Sequence, residues 1–221
     1  MFKRGVSFNI YLTVGKKRRM MMGNKEQTFQ KIIEVAYVMF AEKGFEKTSL
    51  ALIAAEVGIS KPAIYYYFQS KDQLITYLFD ELYKVIQQDV AVDYKELSRV
   101  NFKEKLLELG YKSIEAQGKD PYFNKIFNQY ILLAARDESY KKQLVELETS
   151  FLTSFVEVLQ YGVRLGVLED TPNIEAKAQM LALVYDNIGN FMLTGNQLNY
   201  RAIWKEAVHS VIQGGGDGKK S

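Results

Sequence analysis

The sequence predicts an all-α protein in which three short N-terminal helices precede a larger helical body. Three observations favour this fold class. Apolar residues recur at intervals of three and four along most of the chain, only 3 of its 221 residues are proline, and no strand-like alternation exceeds about four residues. Hydrophobic residues make up 48% of the chain and charged residues 25%, which is typical of a protein with a buried core.

Composition excludes several classes of functional site. The absence of cysteine rules out disulfides, thiolate zinc sites and cysteine nucleophiles, and it fits a reducing cytoplasm. The single histidine, His209, argues against a multi-histidine metal site and a Ser-His-Asp triad. No run of about 18 apolar residues is present, so no membrane span is expected. We therefore predict a cytoplasmic protein that is not an enzyme and needs no metal or cofactor.

Both ends of the chain are predicted to be tails. Residues 1–23 form a basic tail, because residues 1–22 hold six basic side chains and no acidic one. Two interpretations remain open: a basic arm lying along DNA phosphates, or a translated leader with the true start at Met21 or Met22. Residues 214–221 are glycine-rich and predict a flexible tail. Residues 23–70 hold 5 basic and 5 acidic side chains, so net charge alone identifies no nucleic-acid-binding region.

The first predicted helix, Lys25–Lys43, is amphipathic. Its apolar face comprises Phe29, Ile32, Ile33, Ala36, Tyr37 and Phe40. Asn24 is expected to cap its start, and Gly44 to end it in a left-handed conformation. A second helix, Leu50–Val57, follows the capping pair Thr48 and Ser49.

A tight turn separates the second helix from a third, Lys61–Phe68. Gly58 ends the second helix, Ser60 caps the third, and Pro62 stands in a first turn, where a missing N–H costs nothing. Two short helices joined by a turn with glycine at its head form a helix-turn-helix, whose second helix fits the major groove of DNA. This pattern predicts a DNA-binding domain over residues 24–71.

Side chains near the helix starts are candidates for DNA contact. The hydroxyls of Thr48 and Ser49 can reach phosphate. Lys61 can read guanine or only neutralise phosphate. Ala63 is small enough for close approach, and its methyl group suits a thymine methyl.

Three consecutive tyrosines occupy the third helix. Tyr66 and Tyr67 are expected to face DNA, because three adjacent aromatic residues cannot all point inward from one helix. Tyr65 is expected to contact DNA or to lie at least partly in the core. Ordinary helix packing is the alternative for all three.

The same segment resembles a known family. The stretches Met39–Ser49, Ile53–Ala54, Gly58–Phe68 and Ser70–Leu74 are similar to the tetracycline-repressor (TetR) family, and the similarity covers roughly residues 28–75. It implies DNA contacts at Thr48, Ser49, Lys61, Pro62, Ala63, Tyr65, Tyr66, Tyr67 and Lys71. For Lys71 it implies a phosphate contact, with a solvated surface lysine as the alternative.

Residues 72–213 are predicted to form a second, helical domain. Its helices are predicted at Gln73–Val90, Phe102–Gln117, Pro121–Ala135, Tyr140–Leu165, Ile174–Leu193 and Tyr200–Ile212. The resemblance implies that this domain binds an effector and forms a homodimer. The helices Tyr140–Leu165 and Ile174–Leu193 are expected to pack against their symmetry mates as a four-helix bundle.

Aromatic residues on apolar faces are candidates for the effector site, so a small apolar or aromatic effector is expected. They are Tyr111, Phe127, Tyr130, Phe151 and Tyr185. The alternative for each is plain core packing. Asp186 and Asn187 are candidate polar anchors, or else exposed or subunit-facing residues.

Together these features predict a transcriptional repressor that leaves a palindromic double-stranded DNA operator when its effector binds. One alternative is a DNA-bound module that recruits a protein partner and has no small-molecule pocket. Another is an enzyme built on the helical body, for which the sequence shows no clustered acid, base or nucleophile.

Overall fold

The structure, a computed structural model, describes residues 23–213, and within them it is built from α-helices joined by short connections. The predicted all-α fold class is confirmed. The helices are α1 Asn24–Lys43, α2 Leu50–Val57, α3 Lys61–Tyr67, α4 Lys71–Asp89, α5 Phe102–Lys119, α6 Tyr122–Ala134, α7 Glu138–Arg164, α8 Ile174–Leu193 and α9 Tyr200–Gln213. A 3-10 turn, Tyr94–Glu96, lies between α4 and α5. The predictions for the two tails fall on residues 1–22 and 214–221, which lie outside the described residues.

Side-chain capping explains why α4 begins at Lys71, two residues before the predicted start. Ser70 Oγ accepts a hydrogen bond from the Gln73 N–H at 3.0 Å. Gln73 Oε1 in turn accepts from the Gln69 N–H at 2.7 Å. Ser70 therefore caps the helix, satisfying one of the backbone N–H groups that a helix start leaves unpaired, and Gln73 also pairs the N–H of the residue before the cap.

Most other predicted helix ends lie within one residue of the observed ends, and three predictions about caps and helix ends are wrong. Asn24 does not cap α1, because Gly23 holds the capping position. Gly118 does not end α5, which continues to Lys119. α7 begins at Glu138 instead of Tyr140, because Asp137 Oδ1 accepts from the Ser139 N–H at 2.8 Å and starts the helix earlier.

Contacts group the described residues into two units. The first comprises the described residues up to Val85 together with Lys119–Lys142. The second comprises Ile86–Gly118 together with the described residues from Gln143 onward. The predicted boundary after residue 71 lies inside the first of these units, and the division into two functional domains stays a prediction.

The core of the first unit holds α3 in place from one side. Ile64 and Phe68 are buried, and the Phe68 ring stacks on Phe29 of α1 with centroids 5.4 Å apart. The other buried side chains around them are Ile32, Ile33, Ala36 and Phe40 of α1, and Ile53, Ala54 and Val57 of α2. Because these apolar residues leave water together, the three helices pack as one small bundle.

Hydrogen bonds join α1 to the start of α6 within the same unit. The buried Asp120 carboxylate accepts from the Tyr37 hydroxyl and from the Tyr122 N–H, both at 3.0 Å. Burial raises the pKa of Asp120, and these hydrogen bonds oppose that effect. The Tyr122 hydroxyl donates to Glu42 Oε1 at 2.7 Å, which raises the pKa of Tyr122 to about 12.

The second unit is organised around a fully buried tryptophan of α9, Trp204. Its indole N–H is shared between the carbonyls of Leu106 and Leu107 of α5, each at 3.2 Å. α5 approaches the indole closely because Gly110 has no side chain. A Cβ there would lie 2.3 Å from the indole nitrogen.

Candidate nucleic-acid interface

The segment before α2 carries one exposed and one buried hydroxyl. Ser49 is exposed and caps α2, its Oγ accepting from the Leu52 N–H at 3.3 Å. Thr48 is only 1% exposed, and its hydroxyl donates to the Gly44 carbonyl at 2.9 Å. In this structure the Thr48 hydroxyl is therefore bonded to the backbone at the end of α1. A contact between this hydroxyl and a DNA phosphate stays a prediction.

Backbone geometry sets the angle between α2 and α3. Gly58 has φ +83° and lies in the left-handed region that favours glycine. Its N–H donates to the carbonyls of Ala54 and Ala55 at 3.0 and 3.2 Å. Ser60 then caps α3, with its Oγ accepting from the Ala63 N–H at 3.3 Å. The turn of the predicted helix-turn-helix is thus held by hydrogen bonds on both sides.

The side of α3 opposite its buried residues is polar and aromatic. Lys61 and Pro62 are exposed, Tyr65 is 45% exposed and Tyr66 is 67% exposed. Ala63 and Tyr67 are half-buried. A seven-residue helix that points charged and aromatic side chains outward has the form of a recognition helix for a DNA groove.

Lys25, in the first turn of α1, belongs to the same surface. Its ammonium lies 4.8 Å from the centroid of the Tyr66 ring, a cation–π arrangement. A hydrogen bond with Tyr66 raises the pKa of Lys25. Sequence reasoning missed this residue, because no local signal places a lysine of the first helix beside the third.

Two lysines tie this segment together through backbone carbonyls. Lys71 Nζ donates to the Phe45 carbonyl at 2.9 Å, and Lys31 Nζ donates to the Val57 carbonyl at the end of α2 at 2.7 Å. Lys71 is half-buried, so it is not a freely solvated lysine. An ammonium has three donors, and two N–H groups of Lys71 remain for a phosphate beyond this bond.

The predicted effector residues fall in both units. Phe127 and Tyr130 belong to the first unit, and Tyr111, Phe151 and Tyr185 belong to the second. Tyr130 is buried between Phe45 and Phe79, with ring centroids 5.1 and 4.8 Å away, and its hydroxyl donates to the Ile75 carbonyl. Phe127 is half-buried and stacks on Phe123 at 6.5 Å. Tyr130 is thus positioned as a core residue.

In the second unit the structure brings Phe151 and Tyr185 together. Their ring centroids are 5.9 Å apart. Tyr111 is half-buried, and its ring lies under the Arg201 guanidinium at 3.9 Å. The candidate polar anchors Asp186 and Asn187 lie on the exposed side of α8. Packing around the Asp186 carboxyl nevertheless raises its pKa by desolvation, and the nearby Glu148 adds to the rise.

No helix within residues 23–213 is long and apolar enough to cross a lipid bilayer. In the same part of the chain, no three His, Cys, Asp or Glu side chains come together as a metal site would require.

Comparison with known proteins identifies the helix-turn-helix segment. The family described as bacterial regulatory proteins, tetR family, matches residues 32–78. These residues include most of α1, all of α2 and α3, and the start of α4.

Longer relatives extend the match beyond this segment. An HTH-type transcriptional regulator in the lacX 3′ region of Lactococcus lactis is 30% identical over 156 residues, which is 69% of this chain and 79% of the relative. The fatty acid metabolism regulator protein of Bacillus subtilis is 20% identical over 194 residues, covering 87% of this chain and 98% of the relative.

A solved structure has the same fold. SmeT, the repressor of a Stenotrophomonas maltophilia multidrug efflux pump, superposes in its triclosan complex with a TM-score of 0.70. Its identity is 16%, and the match covers 85% of this chain and 91% of SmeT. Family profile, relatives and fold agree with the geometry of α2 and α3. The chain therefore belongs to the tetR family of bacterial regulatory proteins and is a DNA-binding regulator of transcription.

Proposed function

We propose that this protein represses transcription as a homodimer on a two-fold symmetric DNA operator, and that a small apolar molecule releases it. One observation carries the proposal: buried Ile64 and Phe68 hold α3 while Lys61, Tyr65 and Tyr66 face solvent. SmeT is a repressor with a similar fold and has been seen with triclosan, which supports repression and small-molecule control by analogy. The protein then acts in the cytoplasm, with the DNA that it binds.

In this proposal α3 reads the major groove. Its first turn offers Lys61 to guanine or phosphate, while Pro62 and Ala63 allow the backbone to approach the bases. Tyr65 and Tyr66 project farther from the helix, where their rings contact sugars or thymine methyls and their hydroxyls reach phosphate. Tyr67 is half-buried, and in this proposal only the hydroxyl end of its side chain contacts DNA.

Phosphate contacts surround the reading helix. Ser49 offers an exposed hydroxyl at the start of α2, and Lys71 offers the N–H groups left over from its bond to Phe45. Lys25 adds a third contact beside Tyr66. Thr48 acts here through its hydrogen bond to Gly44, which shapes the loop that presents Ser49.

The dimer surface is an apolar stripe on α8. Met180, Leu183 and Phe191 are exposed and recur at intervals of three and eight residues, which places them on one face of the helix. Val145 of α7 is exposed as well. Such a stripe on long helices is buried when a second copy packs against it, and a dimer supplies two reading helices for one symmetric operator.

Selection of bound DNA from a random pool tests the proposal. We expect a two-fold symmetric site whose half-sites lie about 34–36 Å apart, because each subunit places one α3 in successive major grooves. Tyr66→Ala is expected to weaken binding to that site about 10-fold, the effect of losing one good base contact, while far-UV circular dichroism stays unchanged. A pool without a symmetric site, or a Tyr66→Ala variant as tight as the parent, would contradict the proposal.

Lys25→Gln is expected to weaken operator binding to a similar degree for all sequences, because a phosphate contact carries no base information. The slope of log affinity against log salt concentration should become shallower by about 0.9. Fluorescence anisotropy at several salt concentrations measures both quantities.

The matched control is Lys43→Gln, which removes an exposed lysine from the other end of the same helix. If Lys25→Gln and Lys43→Gln show equal slopes of log affinity against log salt concentration, Lys25 does not contact the DNA backbone.

A further inference from the structure

We propose that Lys31 of α1 is a positioning residue for DNA recognition: its hydrogen bond to the end of α2 fixes the direction in which the chain continues into α3, and so the fit of α3 to the operator bases. Lys31 acts through the protein backbone and does not itself contact a base. This inference rests on the proposed function, because it takes α3 as the helix that reads the major groove. It is carried by the hydrogen bond from Lys31 Nζ to the Val57 carbonyl at 2.7 Å.

The last turn of α2 needs a hydrogen-bond donor from outside the helix. The final four carbonyls of an α-helix have no donor within the helix itself. In α2 the carbonyls of Ala54 and Ala55 accept from the Gly58 N–H at 3.0 and 3.2 Å. The carbonyl of Val57, the last residue of α2, accepts from Lys31 Nζ. Lys31 thus pairs the end of α2 from a neighbouring helix.

The charge at the end of α2 favours the same contact. The carbonyl end of a helix carries a partial negative charge, which a nearby cation stabilises. The last turn of α2 contains no basic residue, and Glu56 adds a negative charge there. The Lys31 ammonium therefore supplies a positive charge that α2 lacks in its own last turn.

The hydrogen bond from Lys31 bears on α3 because of the peptide group that it holds. The Val57 carbonyl and the Gly58 N–H belong to one planar peptide group. The N–H side of this group is bonded to the α2 carbonyls, and the C=O side is bonded to Lys31. Rotation of the group would change ψ of Val57 and φ of Gly58 together, and bonds on both sides oppose that rotation.

Gly58 makes the turn sensitive to the orientation of this peptide group. Glycine has no side chain that restricts backbone rotation, so neighbouring contacts hold its φ at +83°. Only Ile59 and Ser60 separate Gly58 from Lys61, the first residue of α3. A change of φ at Gly58 therefore redirects α3 together with the side chains on its exposed face.

Lys31 extends from a fixed part of α1. The next two residues, Ile32 and Ile33, are buried in the core of the first unit. Lys31 itself is exposed, so its replacement leaves that core intact. Because buried Ile64 and Phe68 keep α3 on the core, we expect the loss of the Lys31 bond to change the tilt of α3 without unfolding it. Such a tilt impairs contacts with base edges, which give sequence specificity.

Lys31→Met removes the ammonium and keeps a long, unbranched side chain. With the operator selected by the parent protein, the ratio of operator affinity to random-DNA affinity should fall by at least about 5-fold, the lower end of the range for one base contact. Lys43→Met is the matched control, since it removes an exposed lysine from the same helix, and it should keep the parent's ratio. Fluorescence anisotropy with both DNAs measures the two affinities.

Lys31→Arg should restore the affinity ratio, because a guanidinium keeps the charge and can also donate to a carbonyl. A second measurement uses the protein without DNA. Amide hydrogen exchange at Gly58, followed by NMR, should accelerate by about 2- to 12-fold in Lys31→Met, the range for one lost hydrogen bond. Exchange at Ile33 should stay unchanged, because the core of α1 is not affected.

The inference is overturned if Lys31→Met keeps the parent's affinity ratio, if Lys31→Arg does not restore it, or if exchange at Gly58 does not change. A slope of log affinity against log salt concentration that is shallower for Lys31→Met than for Lys43→Met also overturns it, because Lys31 would then be a phosphate contact. Failure of the proposed function is a different result, seen with the parent protein alone as the lack of any symmetric site in the DNA selection.

Discussion

Replacing Leu183 by arginine is expected to convert the protein to a monomer and to weaken operator binding by about 100-fold or more. Leu183 is 60% exposed and lies in the middle of the apolar stripe on α8. In the proposed dimer an arginine there would be buried without a partner, and an uncompensated buried charge costs about 3–5 kcal/mol. Size-exclusion chromatography with light scattering measures the mass, and a gel shift measures the affinity.

The fold itself should survive this change, because Leu183 is exposed in the single chain. Unchanged helicity by circular dichroism distinguishes lost dimerisation from unfolding. Leu198→Arg places the same charge at another exposed leucine, in the connection between α8 and α9, and should stay dimeric. If Leu183→Arg still elutes as a dimer and binds the operator normally, the stripe is not the subunit interface.

Gly110→Ala should lower the free energy of unfolding by about 1–3 kcal/mol, as expected for overpacking a filled core. The added methyl group would lie 2.3–2.5 Å from three atoms of the Trp204 indole, which is shorter than any normal contact. The indole cannot move aside freely, because its N–H is bonded to the carbonyls of Leu106 and Leu107. Urea denaturation followed by tryptophan fluorescence measures the effect.

Gly118→Ala is the matched control, since it makes the same chemical change eight residues later in α5. A Cβ there meets only the Met192 methyl group at 3.9 Å, an ordinary contact. Alanine is a better helix former than glycine by about 1 kcal/mol, so this variant should be as stable as the parent or more so. Similar unfolding midpoints for the two variants would show that Gly110 does not control the approach of Trp204.

Much of the fold follows from local sequence signals. The helix positions follow from apolar residues at intervals of three and four, and the turn follows from Gly58, Ser60 and Pro62, which act through their own backbone. Predictions that depended on competition between neighbouring caps were less accurate. Gly23, and not Asn24, holds the capping position of α1. Asp137 caps α7, which therefore begins before the predicted start at Tyr140.

The candidate interface depends more on distant contacts. Lys71 donates to Phe45, and Lys31 donates to Val57, each 26 residues away along the chain. The sequence predicts that Thr48 is an exposed residue of a helix cap. In the structure Thr48 is buried by packing, and its hydroxyl donates to the Gly44 carbonyl. The DNA contacts and effector residues stay predictions, and the structure shows which of these side chains are exposed.

Periodicity, caps and turn residues act over a few residues, so the sequence alone determined that this chain is helical and carries a helix-turn-helix. Packing of distant segments decided the rest. It placed Lys25 beside Tyr66, and it separated Tyr130 and Tyr185 into different units. Such contacts depend on which apolar surfaces pack together and exclude water, and a sequence pattern that spans only a few residues cannot predict this.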